Sequence, residues 1–197
     1  MLTPELLQAV KGYTANLTRD LTFVVQPGEH ESHAELVKFL DDFAGTSERM
    51  SVEERTHDAL RGPASFVIEA DGESTGIVFS GIPGGHEFNS FVLAVLNNAG
   101  TPVKLDDGLK RIIEAVGEPL KFETVVSLSC HNCPDVVQTL NQFASLNSSI
   151  SAEMIDGGVY SDVVDDRNVQ RRVTSVAGCH NHRWWPSRRF VCNLCGP

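Results

Sequence analysis

Apolar positions along the chain follow two periods, and the pattern repeats itself one hundred residues on. Leu21-Thr22-Phe23-Val24-Val25 is a short apolar run of the kind that makes a buried strand. Beyond a polar loop, residues 36, 37, 40, 43 and 44 are apolar, a 3.6-residue stripe that predicts a helix with one buried face. The second half restates both elements, with a strand-like run at 122–126 and apolar residues at 136, 137, 140, 143 and 144. Identity is kept at Leu40/Leu140, Phe43/Phe143 and Ala44/Ala144. A duplicated strand–helix unit is the simplest source of such a match.

The first copy continues with a strand over 64–69, an Asp71-Gly72 hairpin signal and a partner strand over 74–80. A helix is expected over 87–98, closed by Gly100 and Pro102. At the N-terminus, Thr3 as N-cap and Pro4 at the first helical position open a short helix. In the second copy, a helix over 104–116 precedes the strand, a further helix is expected over 131–146, and a strand over 150–155. The order is helix, then β-α-β-β-β-α, which builds an α/β fold with a mixed sheet flanked by helices.

Chemistry enters where the second strand meets its helix. Ser129-Cys130-His131-Asn132-Cys133-Pro134 places two thiols three residues apart at a predicted helix start. Unpaired backbone N–H groups and the helix dipole favour a thiolate there, lowering the thiol pKa from about 8.5 toward neutrality. The second sulfur can close a disulfide on the first. Strand, Cys-x-x-Cys and helix together read as a thioredoxin-like redox site. In the first copy the same two positions are His30 and His33, expected to be solvated relics of the lost pair.

Composition narrows the setting. The chain has 197 residues, 41% of them apolar, enough for one large or two small cores. No apolar run approaches the roughly 18 residues of a membrane span. The start lacks a basic head and apolar stretch, so no secretory signal is read and a cytoplasmic setting is expected. A net charge of −10 disfavours nucleic acid as a partner. That charge is unevenly spread: residues 171–197 hold five arginines and no acid, carrying +5, while residues 1–170 carry −15. The same tail contains three of the five cysteines and both tryptophans. Its Cys179, His182, Cys192 and Cys195 have the chemistry of a zinc set.

Ser127 to Gln138, Ile155-Asp156-Gly157-Gly158, Asp166-Arg167-Asn168-Val169 and Gly85-His86-Glu87-Phe88 together resemble the N-terminal region of the flavoprotein component (the F component) of bacterial alkyl hydroperoxide reductase. The resemblance covers about residues 1–170. It implies two tandem thioredoxin-like folds: an inactive one over 1–101 and a redox-active one over 102–170, left incomplete by an atypical tail at 171–197. It further implies that Cys130 attacks, Cys133 resolves, and Glu87 of the inactive copy acts as a base on the resolving thiol. His131, Asn132 and Pro134 would tune the potential. Electrons would arrive from a flavin and nicotinamide disulfide reductase module and leave to a peroxiredoxin that reduces alkyl hydroperoxides. FAD and NADH would belong to that module, and this chain, which has no Gly-x-Gly-x-x-Gly loop, would itself hold no cofactor.

The chain departs from that pattern in its tail. The first copy has Pro63 as its counterpart of the cis-proline that faces the dithiol in this fold, whereas the second has none before its third strand. A shift of coding frame near residue 170 accounts for both the missing proline and the change in composition. Two further readings stay open: a non-catalytic fragment whose third and fourth strands and last helix are replaced by the tail, and a zinc-stabilised binding module.

Overall fold

The computed structural model describes residues 2–166, with the strand backbone at 174–178 and 189–191. Helix α1 (Pro4–Thr14) opens as expected, the Thr3 hydroxyl accepting the Leu6 N–H at 3.3 Å. Then follow β1 (Leu21–Val25), α2 (His33–Ala44), β2 (Met50–Glu54), β3 (Ser65–Ala70), β4 (Glu73–Ser80), a 3-10 turn (Gly85–Glu87) and α3 (Phe88–Asn98). The second copy supplies α4 (Asp107–Glu114), β5 (Leu120–Val126), α5 (Cys133–Leu146), β6 (Ile150–Asp156), α6 (Ser161–Asp166), β7 (Thr174–Gly178) and β8 (Arg189–Val191). Asp71 and Gly72 both take positive φ, 52° and 83°, as a two-residue hairpin loop between twisted strands requires.

All eight strands join one sheet in the order β2-β1-β3-β4-β6-β5-β7-β8. The order within each copy is the same, and the repeat survives in the pairing. β1 runs parallel to β2 from Leu21↔Met50, and β5 parallel to β6 from Leu120↔Ile150. The copies meet edge to edge, β4 lying parallel to β6 from Ile77↔Ala152 to Ser80↔Ile155. That pairing covers two edges that would otherwise expose unpaired backbone groups.

One apolar cluster runs through both copies. Phe23, Phe43, Phe66, Phe79 and Phe91 are fully buried in the first, and the cluster continues to Val137, Ile150 and Met154 in the second. Phe43 and Phe91 lie 4.6 Å apart between ring centroids, the shortest spacing of the phenylalanine group. Helix α3 packs along α5, where Asn98 Nδ2 donates to Ser145 Oγ at 3.0 Å and Gln138 Nε2 to Ser90 Oγ at 3.4 Å. Behind the seam, Arg61 reaches Glu153 at 3.0 Å and Glu123 at 2.9 Å, while Ser80 Oγ donates to Glu153 at 2.6 Å.

Three expectations need correction. The tail does not simply replace the third and fourth strands: β7 pairs antiparallel with β5 and β8 with β7, as β3 pairs with β1 and β4 with β3. The run Val173-Thr174-Ser175-Val176-Ala177 is short, β-branched and free of charge, which suits a strand whatever its origin. Second, no peptide bond among the described residues is cis, so Pro63 is preceded by an ordinary trans bond, the form an X–Pro bond favours by about 0.5–1 kcal/mol.

Third, His30 and His33 are not solvated relics. His33 Nδ1 donates to the Pro63 carbonyl at 2.6 Å and its Nε2 lies 3.0 Å from Glu54. His30 Nδ1 accepts the Ser32 N–H at 3.0 Å, with its ring stacked against Tyr160 of the second copy. Polar partners and a neighbouring ring have replaced the dithiol.

Candidate redox site

Strand β5 ends at Val126 and the chain turns through Leu128-Ser129 before α5 begins at Cys133. Cys130 therefore sits ahead of the helix rather than within it, its N–H donating to Ser127 O at 2.9 Å. Pro134 occupies the first turn of α5, where a missing N–H costs nothing. Asn132 stands at the N-cap in a helical conformation and makes no side-chain cap bond. Neither sulfur is in a disulfide; Cys130 is partly exposed and Cys133 only 2% exposed.

The thiols differ in setting. Burial pushes the Cys133 thiol strongly up; the Cys130 sulfur beside it and the Glu87 carboxyl nearby push the same way, and a backbone contact from Ser127 opposes them. Cys133 is thus held protonated, and both cysteines border a cleft of about 610 Å³ in which Cys130 is the more exposed. Its lining includes Ser127–Cys130, Cys133, Asp156-Gly157-Gly158 and Val164.

Glu87 reaches this place from the first copy. After β4 the chain bends at Gly81 and Pro83 into the 3-10 turn, and Glu87 ends 0% exposed. It is the N-cap residue of α3, yet its carboxyl caps nothing: neither oxygen has a hydrogen-bond donor in bonding geometry. Burial raises its pKa, tempered by the neighbouring Ser90 hydroxyl. The carboxyl's effect on Cys133 puts the two groups in one electrostatic site.

Three features escaped the sequence. The rings of His86 and His131 meet with centroids 4.2 Å apart. Asp156, 8% exposed and with its pKa raised by burial, lines the cleft and accepts the Gly158 N–H at 2.8 Å. Arg61 bridges the copies. Each depends on long-range placement, and only the strand register of a folded seam brings such pairs together. Among the described residues no His, Cys, Asp and Glu group of three or more assembles as a metal site, and Cys179, His182, Cys192 and Cys195 lie outside them. No described helix is long and apolar enough to cross a membrane.

No family profile matches the chain. The N-terminal domain of the alkyl hydroperoxide reductase AhpF of Enterococcus faecalis does: 30% identity, a TM-score of 0.82, and 94% of each chain covered. The chain belongs to that family. The AhpF-type component of alkyl hydroperoxide reductase in Escherichia coli is 38% identical over 169 residues, 86% of this chain and 32% of that one. A Bacillus subtilis protein named NADH dehydrogenase is 38% identical over 157 residues, 80% of this chain and 30% of that one. The chain thus spans about a third of the length of the curated relatives it matches. A protein disulfide oxidoreductase from Aeropyrum pernix, 18% identical with a TM-score of 0.77, shares the fold.

Proposed function

We propose that the chain is a dithiol/disulfide electron relay, with Cys130 as attacking thiol, Cys133 as resolving thiol and Glu87 as the base that serves Cys133. The observation that carries this reading is the pairing of a partly exposed sulfur with a buried, protonated one set against a buried carboxyl. In the first step Cys130 thiolate attacks one sulfur of a partner disulfide, and the other partner sulfur leaves as thiolate and takes a proton. Glu87, as carboxylate, then accepts the Cys133 proton. Cys133 thiolate attacks Cys130 Sγ, closing the intramolecular disulfide and releasing the second partner thiol. Two electrons pass from the chain to the partner.

Glu87 is suited to its part by the same burial that makes Cys133 a poor nucleophile. A carboxyl with a raised pKa is a stronger base, and it sits where the thiol most needs one. His131, Asn132 and Pro134 set the geometry around Cys130 and thereby the potential.

The partner that fits is a peroxiredoxin, whose disulfide is formed when it reduces alkyl hydroperoxides. The electron source would be a flavin and nicotinamide disulfide reductase module such as the family resemblance implies, with FAD and NADH bound there. The working division is an inactive fold over 1–101 and a redox-active one from 102, in a cytoplasmic setting.

Reduction of a peroxiredoxin disulfide, or of a small aromatic disulfide, by the pre-reduced chain tests the relay. Activity should vanish in Cys130→Ser, and Cys133→Ser should accumulate the mixed disulfide. Turnover unchanged in Cys130→Ser would end this assignment.

A further inference from the structure

The inactive copy contributes more to the dithiol than one carboxyl. Its 3-10 turn presses on the loop that carries Cys130 through three separate contacts. The His86 N–H donates to the Leu128 carbonyl at 3.3 Å. Gly85, at φ 53°, lies so close to the same carbonyl that a Cβ there would stand 2.7 Å from it. The third contact is between side chains, the His86 ring meeting the ring of His131 at 4.2 Å and 57°. Both imidazoles are exposed, so hydrophobic burial of neither explains the contact.

We propose that His86 is a positioning residue of the redox site: its ring holds the His131 imidazole in place beside Cys130 and thereby favours the reactive thiolate. This rests on the relay described above. His131 is bonded in sequence to Cys130, and its ring can turn about two side-chain dihedrals unless something stops it. A loose imidazole spends part of its time turned to solvent, where it does nothing for the sulfur. Held by His86, its N–H edge and partial positive charge stay near the developing anion at no ordering cost during reaction. The other titratable groups of the surrounding elements are Glu87 on the same turn, Cys133 and Asp135 at the start of α5, and Asp156 across the cleft.

Stabilising the thiolate stabilises the reduced form, so losing the clamp should act on rate and potential together. In His86→Ala, alkylation of Cys130 at pH 7 should slow about fivefold and its pH midpoint should rise, since the thiolate is the reacting species. Buried Cys133 contributes little to that reaction. The dithiol should become more reducing by about threefold in its equilibrium with a reference dithiol, or about 14 mV. His86→Phe, which keeps a ring and loses the titrating nitrogens, should return alkylation to within twofold of the parent chain.

The double variant His86→Ala/His131→Ala should be no slower than His131→Ala alone. An unchanged alkylation profile in His86→Ala, additive effects of the two alanines, or failure of phenylalanine to restore the rate would each overturn the proposal. Should the alanine chain not fold, His86→Asn, polar and shorter than the imidazole, is read by the same outcomes. A parent chain with a normal alkylation profile that reduces no disulfide would count against the relay, not against the clamp.

Discussion

At the scale of single residues, the site is built from two groups displaced from their ordinary ionisation in the same direction. Cys133 and Glu87 both have pKa values raised, chiefly by burial, and the Glu87 charge adds to the rise at Cys133. Moving one proton from Cys133 to Glu87 leaves a single negative charge in the pocket at any moment. Glu87→Gln should therefore slow release of the mixed disulfide much more than its formation, by about 10–100-fold for loss of a general base. Stopped-flow mixing with an aromatic disulfide resolves the two phases, and equal slowing of both would contradict the role. Cys130 alkylation should barely change.

Stability gives an independent reading of the same carboxyl. The fold raises the Glu87 pKa above its unfolded value of about 4.3, so the native state binds this proton more tightly than the unfolded one. That contribution is fully present below the unfolded pKa and is lost as pH rises through the folded value. Above the folded pKa, an ionised Glu87 in this buried place costs stability, and glutamine removes that cost. Glu87→Gln should unfold at higher denaturant than the parent chain at pH 7, with the gap closing as pH falls toward 4. Parallel urea curves at three pH values would measure it, and a constant gap would mean the carboxyl is not the cause.

At the scale of elements, the sequence announced what is local and periodic. The stripes at 36–44 and 136–144 became α2 and α5, and the offset of one hundred carried through to β2 and β6. Cys-x-x-Cys after a strand located the dithiol. Periodicity could not announce contacts between turns distant in sequence. His86 and His131 are 45 positions apart, and nothing in either segment hints at the other.

The tail's strands formed for a related reason. Its composition argued for foreign sequence, but a strand asks only for a short run of suitable side chains and an open edge, and β5 offered one. The 3-10 turn makes a testable hinge between these levels. Gly85→Ala must place a Cβ against the Leu128 carbonyl at positive φ, a cost of about 1–2 kcal/mol from the backbone conformation alone. The turn should shift to relieve it, carrying Glu87 and His86 away together. Thermal melting should report a modest loss of stability, and resolution of the mixed disulfide should slow as in Glu87→Gln. Full resolving activity in the alanine chain would show that this close approach is not what sets the site.

At the scale of the molecule, the decisive feature is that the copy without a dithiol is joined edge to edge with the copy that carries one. The seam between β4 and β6 fixes where the turn at 85–87 falls, and so where Glu87 lies relative to Cys133. Behind that seam Glu153 is 3% exposed and depends on Arg61, Ser80 and Lys121 for its partners. Removing one member of such a network costs more than the pair was worth, because the remaining charge stays buried. Arg61→Ala should lower unfolding stability by about 3 kcal/mol, with Glu153 left to Ser80 and Lys121. The more telling measurement is whether the copies come apart. The continuous core from Phe23 to Met154 argues that they unfold together, so circular dichroism and Cys133 reactivity should follow one denaturation curve in the parent chain. In Arg61→Ala both should shift to lower denaturant in step. Should Cys133 become reactive well before helix is lost, the seam opens ahead of the core, and the inactive copy would be a docked neighbour rather than half of the site.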